Sequence, residues 1–425
     1  MVLNNRSSRA LTAIAGIGVL ALALSACSST ATEDVKDTTA SEEGVAFGAS
    51  KDDWKAAFAD VDSIELRTQS SSAKGAASGK DFEDFVAEIE EWSDGKITFD
   101  LGYSSAYASP LEGIDALNDG RLDIAHVIPQ YFAEELPLAA SLVNMNVISN
   151  ASPIYGAVSS NVWPLQAGFE SEELMAESEE LGMVPLAPYW NTGAGALICS
   201  AERNNLKELK GAVVAASGAL QQEQVSAVGS SPTSMPFTEF YEALQRGAAD
   251  CVQTTGTSAL AVSIPEVAPH VVIDPEASFI AGASMLNFSK ATWDALPLVA
   301  QQLIWDRTST FVAGNITKVI GNYQLLNDAV TASGGSIEEF DADAVTAMND
   351  TKPAILSTVA ETAGEDFVSN AETLQSDWLQ KTADAGFDVD VKYADIQIWL
   401  DDNQDSLNEF IQADVAEAVY KPYRP

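Results

Sequence analysis

Twice along this chain, short apolar strands alternate with amphipathic helices across links of only a few residues. A chain patterned in that way folds as a parallel α/β sheet. The first run opens with Ile64-Glu65-Leu66-Arg67-Thr68, which alternates as a strand does. Asp81 to Trp92 then puts Phe82, Phe85, Val86 and Ile89 on one helical face, Gly95 ends that helix, and Lys96 to Leu101 is the next strand. A helix over Pro110 to Asn118 stops at Gly120, and Leu122 to Ile128 is a third strand. The second run has strands at Gly195 to Ser200, Ala212 to Ala216 and Asp250 to Gln253, with helices at Ala219 to Val228 and Phe237 to Arg246. Two lobes are therefore expected: lobe 1 over about 61–190 plus later helical segments, and lobe 2 over about 195–290. Tyr155 to Glu180 reads as a Glu-rich helical crossover. Lys290 to Ala332 reads as a long helical region broken near Pro297, and Asp343 to Ala385 as a last helical segment. The tail to Pro425 carries no assignable role.

The N-terminus has a different character. Arg6 and Arg9 precede an apolar run from Ala10 to Leu24, and small residues follow it. That is a secretory signal, and the run is shorter than the roughly 18 residues a membrane span needs. Leu24-Ser25-Ala26-Cys27 at its end resembles the lipobox of bacterial lipoproteins. The resemblance implies a lipidation site at Cys27, a signal over 1–27, and a mature chain tethered outside the cytoplasmic membrane. Residues 28–60 begin with Ser, Thr, Ala and acid and few bulky side chains, so they read as a flexible acidic tether, with a short helix possible over Lys51 to Asp60. The two-lobe body then covers 61–425. A chain of 425 residues fits two or three folding units at about 150 residues each.

With 62 acids against 22 bases the net charge is −40, a field that repels phosphate backbones and excludes nucleic acid as a partner. After Cys27 only Cys199 and Cys251 remain, both in strand-like stretches. In an oxidising compartment they are either bridged or a pair of buried thiols. His126 and His270 lie far apart and away from both cysteines, so they read as structural, and no metal or other cofactor is indicated. G-x-S-x-G, H-E-x-x-H and phosphate-loop patterns are absent, which argues against an enzyme.

Three passages then point to one family. Phe82 to Ala125 contains FEDFVAEIEEWSDGKITFDL and LEGIDALNDGRLDIA. Asn205 to Gln253 contains NLKELKGAVVAASG and FTEFYEALQRGAADCVQ. Asn287 to Ile304 reads NFSKATWDALPLVAQQLI. Together they resemble the solute-binding proteins of TRAP transporters, in order and spacing, from about residue 64 to 335. The resemblance implies a two-lobed periplasmic-binding-protein-like fold, a cleft between the lobes and a long helix spanning both. It also implies capture of a small solute by lobe closure and delivery to integral membrane transporter subunits. An ABC-type binding protein or a ligand-sensing surface lipoprotein is the alternative. Asp123 and Asp250, each three residues after a helix-ending glycine, read as turn-bonding residues, and Trp293, Leu296 and Ile304 as core.

The family's carboxylate-binding arginine follows its "L-K-G" glycine by four residues. Here that passage is Leu209-Lys210-Gly211-Ala212-Val213-Val214-Ala215, so Ala215 stands at the arginine position. The family's "G-F-R" passage corresponds to Gly193-Ala194-Gly195, and the asparagine of its "D-G-x-x-N" to Thr254. A buried carboxylate without a partner costs several kcal/mol. Either a simple carboxylate is not the ligand, or a base from elsewhere serves it, with Arg67 and Lys74 as candidates. The ligand-binding candidates at the strand ends are Gln69, Ser70, Tyr103, Tyr131, Trp190, Asn191, Ser217, Gln253 and Thr254.

Overall fold

The computed structural model describes residues 44–425; the signal, Cys27 and residues 28–43 lie outside the described residues. The strands among them are β1 (Ile64–Gln69), β2 (Ile97–Gly102), β3 (Ile124–Val127), β4 (Met183–Asn191), β5 (Gly195–Cys199), β6 (Val213–Ala216), β7 (Ser231–Ser234), β8 (Cys251–Thr255), β9 (His270–Val272), β10 (Ala283–Ser289) and β11 (Ser336–Glu338).

In lobe 1, β1 and β2 pair in parallel, and β10 runs antiparallel between β3 and β4. Asp123 joins the two ladders. Its backbone N–H donates to Arg67 O, its Oδ2 accepts from Arg67 N at 2.8 Å, and its Oδ1 accepts from Thr292 Oγ1 at 2.8 Å. Lobe 2 is one six-stranded sheet in the order β11-β9-β5-β8-β6-β7. Asp250 there repeats the device, its Oδ2 accepting from Val213 N at 2.8 Å. Both aspartates thus hold a strand end to the neighbouring strand. In the register of β5 on β8, Cys199 faces Cys251, and the two are joined as a disulfide. Trp293 is buried and meets Phe288 edge-on at 5.2 Å.

The chain passes between lobes at β4 to β5 and at β9 to β10. At the first crossing, Gly193 has φ 111°, a conformation open to glycine. A Cβ on Gly195 would collide with Phe279 O, so a side chain at that position would displace the second crossing. Polar side chains hold both crossings. Asn191 sits fully buried at the end of β4. It donates to Ser160 O at 2.9 Å, and its Oδ1 accepts from Asn161 Nδ2 at 2.9 Å and from Gly193 N at 3.0 Å. On the lobe 2 side, Gln221 and Gln253 both donate to Ile280 O at 2.9 Å, and Gln224 accepts from Ile280 N at 2.9 Å.

The helix Leu298–Ala332 begins after Pro297, where the sequence places the break, and runs for 35 residues. Its first half packs on the helices Lys80–Trp92 and Tyr155–Glu170 of lobe 1, its second half on the helix Gly256–Ala261 of lobe 2. Asn322 donates to Thr257 Oγ1 at 3.0 Å, and Tyr323 OH accepts from Ala194 N at 2.7 Å. The expected last helical segment, Asp343 to Ala385, is three helices, Ala342–Asn349, Lys352–Ala363 and Glu365–Asp384. One more, Ile396–Asp414, follows and packs along the long helix.

The described part of the expected tether, residues 44–60, is packed. Ser50 caps the helix Lys51–Ala57 with a reciprocal capping box, and Trp54 and Phe58 are fully buried. Two bulky aromatics after a polar stretch supply the apolar area that residues 28–43 lack. The C-terminal tail packs too. Arg424 forms a two-pronged ion pair with Asp306 of the long helix, at 2.7 and 3.0 Å, and donates to Val45 O at 2.7 Å. Gln302 accepts from Val45 N and donates to Pro425 O. The two ends of the described chain are thus fastened to the same turn of the long helix. Both ionic side chains are buried, and removing one partner strands the other charge. Arg424→Ala is expected to lower unfolding stability by about 3–5 kcal/mol, measured by urea denaturation.

Candidate functional site

The lobes face each other across a cleft enclosing about 150 Å³. The ends of β1, β3 and β4 and the first turn of the helix Lys80–Trp92 form one wall. The ends of β6 and β8 and the Phe237–Phe240 segment form the other, and the middle of the long helix forms the floor. Tyr131 crosses the gap: its hydroxyl, on lobe 1, accepts from Phe237 N of lobe 2 at 3.1 Å. The lobes are therefore in contact in this structure.

Of the nine candidates, Gln69, Ser70, Tyr131, Trp190, Ser217, Gln253 and Thr254 line the cleft. Gln69 is occupied by the protein itself. Its amide donates to Ala108 O at 2.6 Å and accepts from Tyr107 N at 2.8 Å, so it positions the loop after β2. Tyr103 and Asn191 do not line the cleft. Tyr103 follows β2, the outer strand of lobe 1, and its ring lies 5.7 Å from Lys74 Nζ. Asn191 is turned into the crossover network because strand alternation sends Trp190 the other way, into the cleft. The two bases offered as carboxylate partners are also elsewhere. Arg67 points off the outer face of β1, paired with Asp100 at 2.8 Å, while its neighbours Leu66 and Thr68 point inward. Lys74 stays over Tyr103.

The arginine positions are closed as well. Ala215 is fully buried in the sheet opposite Val252 and does not reach the cleft, where Phe237 and Phe240 stand. Gly195 has no room for a side chain beside Phe279 O.

The cleft's base is Lys318, from the middle of the long helix. Its Nζ lies 2.7 Å from Asp81 Oδ2, 3.5 Å from Ser78 O and 5.7 Å from the Trp190 ring centre. The lysine side chain is 10% exposed and the aspartate 4%, so this is a buried pair with one edge on the cleft. His126 lies beside it, packed against Phe82 at 4.8 Å and Trp190 at 5.1 Å. Burial first, and the Lys318 charge second, hold the imidazole down to about 3, so it is neutral. His126, read from the sequence as structural, is packed among aromatics and forms part of the cleft wall.

Four buried polar atoms of cleft residues have no partner within the protein: His126 Nδ1, Gln130 Nε2, Trp190 Nε1 and Gln253 Oε1. Buried polar groups are almost always hydrogen-bonded, so these four are free to bond a molecule entering the cleft. Around them Phe82, Phe237, Phe240 and Phe311 give an apolar body. The site has donors, an acceptor and flat aromatic faces. Among the described residues there is no group of three or more His, Cys, Asp or Glu that could hold a metal ion.

Sequence reasoning missed Lys318, Asp81 and His126 as cleft residues, while Gln130, which follows the third strand, does line the cleft as its place in the sequence implies. A signal for the pair was present. The long helix holds only two bases, Arg307 and Lys318, and Lys318 is flanked by Ile316, Val319 and Ile320. A charge in the middle of a helix that is apolar on every side needs a buried partner.

This is a two-lobed α/β binding protein with its ligand cleft between the lobes. Residues 69–353 match the family model for bacterial extracellular solute-binding proteins, family 7. The chain belongs to that family and is an extracytoplasmic solute-binding protein of the TRAP transporter type, with a role in transport rather than catalysis. A curated solute-binding protein of Albidiferax ferrireducens is 26% identical over 262 residues, covering 59% of this chain and 72% of its own. The fold is that of a TRAP solute-binding protein of Rhodoferax ferrireducens solved with benzoate (18% identity, TM-score 0.64, 75% of this chain and 99% of that one). It is equally that of the sugar acid binding protein of Advenella mimigardefordensis solved with galactonate (16% identity, TM-score 0.65, 75% and 100%). The helices Glu365–Asp384 and Ile396–Asp414 lie beyond the end of the family match.

Two outcomes follow from this arrangement. Asn191→Ala is expected to cost about 1–3 kcal/mol, because Asn161 and Gly193 N lose a buried partner; thermal unfolding measures it. For His126, the folded state resists a proton that the unfolded chain accepts near pH 6.5. Its stabilising contribution is complete above that pH and falls by about 1.4 kcal/mol per unit as pH drops toward 3. A pH series of denaturation curves, wild type against His126→Asn, is expected to show that extra slope in the wild type alone.

Proposed function

We propose that the chain is the lipid-anchored receptor of a TRAP transporter for a small organic acid, held by Lys318 in place of the strand arginine. The supporting observation is Lys318 itself. It is the one cationic side chain lining the cleft among the described residues, and the same cleft holds four buried polar atoms that the protein leaves without partners. Galactonate and benzoate, bound by the two solved relatives named above, are both carboxylates, which favours an acid here.

In this reading Lys318 Nζ donates to the carboxylate while keeping Asp81. A lysine has three donors, and Asp81 engages one closely. Gln130 Nε2, Trp190 Nε1 and His126 Nδ1 meet further polar atoms of the solute, Gln253 Oε1 accepts from a hydroxyl or N–H, and the phenylalanines cover its carbon skeleton. Ser70, Ser217 and Thr254 supply hydroxyls at the rim. Ligand favours the closed lobes because it contacts both walls, and Tyr131 to Phe237 closes the gap beside it. Cys27 carries the lipid anchor, residues 28–43 form the tether, and the closed form docks on the integral membrane subunits.

Thermal-shift screening of the mature protein against organic acids, sugars, amines and quaternary ammonium compounds tests this. A ligand at about 100 times its dissociation constant adds roughly 2.7 kcal/mol of stability. Acids are expected to raise the midpoint, and Lys318→Gln to weaken their binding by about tenfold or more, as loss of one charged hydrogen bond implies. A midpoint raised only by uncharged sugars, unaffected by Lys318→Gln, would contradict the reading.

A further inference from the structure

The charges lining the cleft cancel. Asp81 and Lys318 form the ion pair, His126 is neutral, and every other lining residue is uncharged. A plain carboxylate entering this space would leave a net buried negative charge within reach of Asp81, at a cost that Lys318, already shared, offsets only in part. The protein's net charge of −40 adds a long-range bias against anions. A solute with no net charge meets neither obstacle.

The pair also has the right shape for two opposite charges. Nζ and Oδ2 lie at hydrogen-bond distance, 2.7 Å, at the edge of the cleft. A carboxylate and a cationic nitrogen on the same carbon lie close enough together to set each opposite its counterpart. Four alternating charges then replace two. The Trp190 face, already 5.7 Å from one cation, suits a second. Resting on the organic-acid reading above, we propose that the acid is zwitterionic: an amino or imino acid whose carboxylate meets Lys318 and whose nitrogen meets Asp81. Asp81 is then the specificity-determining residue, rejecting acids that lack the nitrogen.

Calorimetric titration of matched probes tests this: L-proline against cyclopentanecarboxylate and pyrrolidine, and L-phenylalanine against 3-phenylpropanoate and 2-phenylethylamine. In at least one set, the zwitterion is expected to bind tenfold or more tighter than its anion and its amine. Asp81→Asn is expected to reverse the order of zwitterion and anion. If that variant does not fold, Asp81→Asn with Lys318→Gln removes both charges, and the preference is expected to vanish. Anions binding as tightly as zwitterions, or a preference unchanged in these variants, would overturn the proposal while leaving the organic-acid reading intact. Failure of every acid, with or without nitrogen, to bind would overturn both.

Discussion

The contact between the long helix and both lobes sets the terms for everything else. A 35-residue helix that buries one half against lobe 1 and the other against lobe 2 fixes where the lobes can meet. Its middle turn is then the floor of the cleft. Any residue placed there is buried on three sides and open to the solute on the fourth. Lys318 occupies that turn, and its charge obliges the first turn of the neighbouring helix to supply Asp81. The same helix takes the two ends of the described chain through Gln302 and Asp306. One element therefore ties the two lobes together, takes both ends of the described chain and forms the floor of the cleft.

The positions where the family resemblance places arginines are filled here by close packing. Ala215 leaves β6 apolar where it meets β8, and Phe237 and Phe240 stand in the cleft wall. With glycine at 195, the second crossing can pass directly against the first, sealed by Gln221, Gln224 and Gln253 around Ile280. The buried amides here and in the Asn161, Asn191 and Asn315 cluster satisfy backbone groups that leave the sheets at the crossings. Such networks fix a unique geometry when their members are paired.

Much of the fold was legible in the sequence because strand and helix periods are local signals. The two β/α runs, the break at Pro297 and the pairing roles of Asp123 and Asp250 follow from spacing and helix-ending glycines. What was not legible depended on tertiary placement. Strand β7, Ser-Pro-Thr-Ser, has no apolar alternation and exists because it pairs with β6. The strand ends place Tyr103 and Asn191 at the cleft, and the structure does not. Which strand lies outermost, and which way a side chain alternates, is decided by the sheet. Arg67 failed as a ligand base for the same reason. Lys318 and Asp81 lie 237 positions apart, and no pattern of short period joins them.

In the proposed reading the solute's carboxylate is held from the long helix. A crystal structure of the protein with its tightest-binding acid tests this most directly. A carboxylate oxygen is expected within hydrogen-bonding distance of Lys318 Nζ, with Trp190 Nε1, Gln130 Nε2 or Gln253 Oε1 engaged by the same molecule. A carboxylate held instead by Arg67 or Lys74, or by backbone amides away from Lys318, would contradict it.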